Sequence, residues 1–218
     1  MKYLTGYYWS ADKNTAFVLV HARRIGDGLP IMMMGICDPF EDTVIENFKN
    51  MLLEWFDRQG LHHCGKGGAS KCIRLVGKSF VKWFAADGGN NKDADTWKNV
   101  SWCVFVTVGE ECFYAWNGDG EIRLLNLCFN RLNSRKLTWH TDKMQLEYAG
   151  LEPGVGILLG TKSLFEYLPE KSLKECLAIE TIDNKGQIQK HLKEAVLEAA
   201  YRGAEVSGAV LAVTKEAQ

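Results

Sequence analysis

Several things are scarce in this 218-residue sequence. Proline occurs only four times, and no polar low-complexity run is present, which argues against disorder and against a linker between domains. No window approaches the roughly 18 consecutive apolar residues of a membrane span. The opening stretch, Met1-Lys2-Tyr3-Leu4-Thr5-Gly6-Tyr7-Tyr8-Trp9-Ser10, has no apolar run of signal-peptide length, so neither a membrane nor export is expected. An excess of one charge is also missing. Against 26 Lys and Arg stand 27 Asp and Glu, a net charge of −1, so composition selects neither nucleic acid nor an anionic membrane as partner. No internal repeat is visible.

Two runs fall short of known motifs. His62-His63-Cys64, with Cys72 further on, has too few ligands and the wrong spacing for a zinc site. Gly65-Lys66-Gly67-Gly68-Ala69-Ser70-Lys71 precedes a helix-like stretch but lacks the full P-loop pattern, and is expected to connect two helices. The seven cysteines are odd in number and scattered, several inside apolar runs. They are expected to be reduced, mostly buried thiols of a cytoplasmic protein.

What is present is an ordered series of elements. Thr15 to His21 and Pro30 to Cys37 are β-type runs. The second is nearly all apolar, as for a strand covered on both faces. Val44, Phe48, Met51, Leu52, Trp55 and Phe56 recur at helical spacing, with Asp42 as a candidate cap and Gly60 as a stop. A second helix is expected over Ser70 to Phe84, followed by a polar loop over Asp87 to Lys98. Trp102 to Val108, Cys112 to Trp116 and Glu121 to Leu127 predict a three-stranded meander, because Asn117-Gly118-Asp119-Gly120 carries strong hairpin dipeptides. Asn130 to Tyr148 shows no readable pattern. A strand over Val155 to Leu159 runs into a short helix, and Glu170 to Leu177 also reads as helical. A helix over Gln187 to Arg202, stopped by Gly203, precedes a last strand over Ala209 to Val213. Trp97 and Trp139 lie in poorly patterned segments and are read as core residues. Runs of strands alternate with runs of helices, which favours antiparallel sheets with helices packed outside.

Four stretches carry a more specific likeness. They are Met34-Gly35-Ile36-Cys37-Asp38-Pro39-Phe40, Cys112 through Arg123 with its Asn117-Gly118-Asp119 turn, Ile157-Leu158-Leu159-Gly160-Thr161-Lys162-Ser163-Leu164-Phe165, and the closing unit Ala195 to Val213. In this order they resemble the signatures of the type 2C, metal-dependent protein phosphatases. The resemblance implies an α+β fold, two packed antiparallel sheets with helices on the outer faces, formed as a single domain over residues 1–218.

It also implies a reaction. In that family two divalent metals activate a bridging water toward phosphoserine and phosphothreonine esters, and aspartates supply the oxygen ligands such hard cations need. Of the four family aspartates, Asp38 matches one at the end of a buried strand. The residues after it, Pro39, Phe40 and Glu41, replace a glycine-rich turn, and proline alters the backbone there. Thr15 stands at the N-terminal position in one register, and Asp12 does so if the register slips. Lys162 and Val206 stand at the remaining two, and neither side chain binds magnesium or manganese. The Lys162 ammonium is expected near Asp38, in place of a metal. Asp119 is read as a structural turn residue.

The sequence therefore predicts a phosphatase 2C-like domain without the usual activity and without a metal cofactor. Its expected role is a pseudophosphatase that binds a protein partner, phosphorylated or itself a kinase, in serine/threonine phospho-signalling. The alternative is an active phosphatase using magnesium or manganese on a rearranged site built from Asp38 with Asp12, Glu41 or Asp42.

Overall fold

The computed structural model describes residues 2–9, 17–24, 30–38, 42–64, 68–85, 100–129, 131–178, 186–205 and 208–215. Two five-stranded sheets form the centre. Sheet one has the order β1 (Lys2–Trp9), β10 (Gly208–Lys215), β9 (Gly156–Gly160), β6 (Glu121–Cys128), β7 (Arg131–Lys136). Sheet two has the order β2 (Phe17–Arg24), β3 (Pro30–Cys37), β4 (Trp102–Val108), β5 (Glu111–Gly118), β8 (Thr141–Gly150). The neighbouring strands pair antiparallel. Helices α1 (Asp42–Trp55) and α2 (Ala69–Ala85) cover sheet two. Helices α3 (Lys162–Tyr167), α4 (Glu170–Cys176) and α5 (Gln187–Tyr201) cover sheet one.

Strand alternation explains the layers. On β3, Met32, Met34 and Ile36 face the space between the sheets, where they meet Phe105, Tyr114, Trp116, Ile157, Leu159 and Val210. Ile31 and Met33 face the other way, onto Phe48, Trp55 and Phe80 of α1 and α2. Both faces of β3 are therefore buried, as its unbroken apolar run predicts. The Trp55 indole N–H is buried but donates to Ser79 Oγ at 3.2 Å, so it is not left unpaired. After α1 the chain makes a wide turn over Phe56–Gly60, in which the N–H of Leu61 donates to the carbonyl of Phe56.

The expected meander is not formed. β4 and β5 pair as a hairpin, but β6 leaves for sheet one and pairs with β7 and β9. The free edge of β5, where a third strand would pair, is taken by β8. The chain turns between the sheets at Asn117 to Gly120. Gly118 has φ +62°, and a Cβ on Gly120 would overlap the carbonyl oxygen of Trp102. Asn117, buried, donates from Nδ2 to the carbonyl of Val100 at 2.9 Å. These glycines make a corner rather than a hairpin turn.

Three strands have no counterpart in the sequence reading: β1, β7 and β8. β7 is a mostly exposed edge strand, and β8 is an edge strand whose alternation of Met144, Leu146 and Tyr148 the sequence reading missed. Trp139 is a further correction. It is 52% exposed, its ring edge-to-face with Trp116 at 4.7 Å. Residues 87–98, read as a polar loop, and Trp97 lie outside the described residues.

Candidate functional site

One end of the sandwich gathers the residues that the sequence singles out. Asp38 continues the parity of Met34 and Ile36, one step past β3, so it falls on the inter-sheet side. Its N–H donates to the carbonyl of Ser101 at 2.7 Å, which extends the β3–β4 ladder beyond Trp102. Asp119 arrives from the corner between β5 and β6, and its N–H donates to Ser101 Oγ at 3.0 Å. Ser101 thus holds both acidic segments.

The third component is the start of α3. β9 ends at Gly160, and the N–H of Thr161, a buried residue, donates to the carbonyl of Gly208 at 3.2 Å. The helix begins at Lys162 without a capping bond from the Thr161 side chain. The Lys162 backbone N–H instead donates to the Asp38 carboxylate, which caps the helix from the other sheet. The expected pairing of the Lys162 ammonium with Asp38 is corrected in detail. Its ion pair is with Asp119, at 3.5 Å from Nζ to Oδ2, and Asp38 receives the backbone amide.

The two carboxylates are tuned in opposite directions. Burial pushes the Asp38 carboxyl up to about 6; the Lys162 N–H and ammonium pull it down, and the charge of Asp119 raises it. Asp119 is held below its usual range. Its partial burial works the other way, but the hydrogen bond with His140 and the charges of Lys162 and His140 outweigh it. His140 Nδ1 lies 3.0 Å from Asp119 Oδ1, and its Nε2 lies 3.5 Å from Asp142 Oδ1. Beside Asp38, burial first and the Asp38 charge second push the Cys37 thiol up to about 12, so it is not a nucleophile near neutral pH.

Asp12, Thr15, Glu41 and Val206 lie outside the described residues. The described residues that border them share this end of the sandwich: Trp9 pairs with Gly208, Phe17 with Cys37, and Gly160 with Ala209. Asp42 opens α1. Asp119, Ser101 and His140 are the site residues that the sequence reading missed or took as structural. The Gly118-Asp119 turn, part of one of the four stretches, was the available signal for the first.

No family model and no curated protein matches the sequence. Solved structures do match it across nearly its whole length. The S. agalactiae serine/threonine phosphatase is 11% identical with a TM-score of 0.62, over 98% of this chain and 100% of that one. RsbX, in complex with magnesium, is 11% identical with a TM-score of 0.59, over 98% of this chain and 96% of that one. The PP2C phosphatase domain of SpoIIE from Bacillus subtilis, with a fragment of its regulatory domain, is 9% identical with a TM-score of 0.56, over 100% of this chain and 65% of that one.

The chain has the fold of the type 2C phosphatases.

Within that type 2C fold, the four stretches fall on β3, on the β5–β6 corner, on β9 with α3, and on α5 with β10. The donor set that the described residues offer at the end of β3 fits a pair of divalent ions poorly. Among the described residues, no three His, Cys, Asp or Glu side chains are grouped to hold a metal. Within the described residues, Asp38 is already engaged by an amide N–H and Asp119 by an ammonium and an imidazole. An ammonium beside them repels a cation, and magnesium needs near-octahedral oxygen donors.

No helix among the described residues is long and apolar enough to cross a membrane. Six cysteines, Cys37, Cys72, Cys103, Cys112, Cys128 and Cys176, are thiols outside any disulfide, and all but Cys128 are buried.

Proposed function

We propose that this chain is a pseudophosphatase: a type 2C fold that binds or regulates a protein partner in serine/threonine phospho-signalling without two-metal ester hydrolysis. The observation that carries this reading is Lys162. Its backbone amide donates to the Asp38 carboxylate and its ammonium pairs with Asp119, so positive charge at this end of the sandwich comes from the chain itself. A module of this kind retains a shaped surface while lacking the hydroxide that a metal pair generates. The partner chemistry that suits it is a protein, phosphorylated or a kinase, met in the cytoplasm.

Thermal unfolding with manganese, with magnesium and with a chelator tests the reading, alongside turnover of a phosphate ester. The expected outcome is an unchanged melting temperature and no turnover. A manganese-dependent rise in melting temperature together with turnover would overturn it. The double variant Lys162→Asp with Val206→Asp restores carboxylates at two positions. At metal a hundredfold above its dissociation constant it is expected to gain about 3 kcal/mol. That corresponds to a rise of roughly 5 to 10 °C for a chain of this length.

A further inference from the structure

The far end of the sandwich, away from Asp38, carries a second surface. The β6–β7 hairpin pairs Leu124 with Arg135, Asn126 with Asn133 and Cys128 with Arg131, so these six residues share one face of sheet one. Leu124 packs into the inter-sheet core, which identifies this as the inner face. Beyond Leu124 that face is uncovered: Asn126, Asn133, Arg131 and Arg135 are all exposed. Sheet two therefore leaves the end of this hairpin without a cover.

A cleft of about 390 Å³ opens there, with Leu124, Leu151 and Val155 as its apolar floor and Asn126, Asn133 and Arg135 on one wall. Glu152 stands on the other wall. β7 is also the last strand of sheet one, so among the described residues its outer backbone edge has no neighbouring strand. Its sequence, Arg131-Leu132-Asn133-Ser134-Arg135-Lys136, has three cations and no acid. Lys136 is taken by Glu121 at 2.6 Å, whereas neither Arg131 nor Arg135 has an ion-pair partner among the described residues. At the hairpin tip Phe129 is 97% exposed and sits at φ 47°, a left-handed conformation that favours glycine. The two-residue loop between Cys128 and Arg131 accounts for the left-handed φ, and it holds the Phe129 ring in solvent beside Arg131.

We infer that the β6–β7 hairpin is a docking arm for an extended acidic segment of a partner protein, which adds to the edge of β7 and lays its side chains into the adjoining cleft. The chemistry of the hairpin matches that occupant, whose acidic side chains face the arginine side of the cleft and not Glu152. The strand edge offers backbone hydrogen bonds. The Asn126–Asn133 pair offers donors and acceptors to a peptide backbone. Arg131 and Arg135 take carboxylates in the fork geometry that guanidinium favours, and Phe129 supplies an apolar anchor at the rim. The surface lies apart from Asp38 and Lys162, so it stands or falls independently of the metal question.

The test uses short labelled peptides and the whole chain. A peptide alternating glutamate and valine is titrated and followed by fluorescence anisotropy, with lysine–valine and glutamate–proline peptides as controls. The expected result is binding of the glutamate–valine peptide only, weakened by salt and weakened about tenfold or more by Arg131→Glu with Arg135→Glu. Lys78→Glu, an exposed change on α2, is expected to leave it unaltered. Amide chemical-shift changes on titration are expected at residues 124–135 and 150–155. Equal binding of the acidic and basic peptides overturns the inference, as does no binding at millimolar concentration. Undiminished binding of the proline peptide removes the strand-addition geometry, and shift changes confined to another edge overturn the location.

Discussion

Asp38 is the residue whose ionisation the fold resists most among the described carboxylates with a resolved shift. Its carboxyl ionises at about 6 in the folded chain against an ordinary 3.8, mainly because it is buried. The stability gained from keeping it neutral is fully present below pH 3.8 and is lost as pH rises through about 6. The shift amounts to about 3 kcal/mol by linkage. Asp38→Asn keeps an oxygen to accept the Lys162 N–H and removes the charge. Its expected effect is higher stability at pH 8, by as much as that amount, and little change at pH 4, measured by urea unfolding at both pH values. Asp119 acts in the opposite sense. Its lowered carboxyl contributes stability above its ordinary value, and that contribution is lost as pH falls below it. At this scale the sequence told part of the story. Asp38 at a strand end and Lys162 at a helix start were readable from local pattern. The role of Asp119 was not, because it depends on Ser101 and His140, which come from 18 and 21 residues away. The rerouting of Lys162 toward Asp119 is hidden for the same reason.

Among the elements, the β5–β6 corner decides the architecture. The sequence reading took its glycines for hairpin signals, and both strands were placed correctly, but their pairing was not. The deciding features are β8, whose alternation of Met144, Leu146 and Tyr148 is short and set among polar residues, and Gly120, whose need is set by the backbone of Trp102. Strands such as β3 and β9, buried on both faces, and amphipathic helices such as α5, were legible because burial writes a period into the sequence. Edge strands have half of that signal or less. Two substitutions separate the corner from an ordinary turn. Gly120→Ala drives a Cβ into the Trp102 carbonyl and is expected to cost more than about 3 kcal/mol, with the crossing itself distorted. Gly154→Ala meets a left-handed φ of +81° but open space, and is expected to cost only about 1 kcal/mol. Chemical denaturation of the two variants side by side measures the difference.

For the whole molecule, the layering predicts a gradient of local stability. β3, β4, β9 and β10 lie inside their sheets with helices or the opposite sheet on each face, whereas β7 and β8 are edges with exposed faces. Native-state hydrogen exchange is expected to be slowest in the first set and fastest in β7 and β8. Uniform protection across both sheets would contradict this. The helix-on-sheet class and the antiparallel character followed from the element order. The division of strands between sheets did not, because no local feature states which edge a distant strand will occupy. That division has a consequence for biogenesis. β1 pairs along its full length with β10, from Lys2 opposite Lys215 to Trp9 opposite Gly208. On the ribosome the first strand therefore waits, unpartnered on that side, until the segment that completes it has been synthesised. Sheet one closes only after β10 has emerged, and its assembly is governed by loop closure between Trp9 and Gly208.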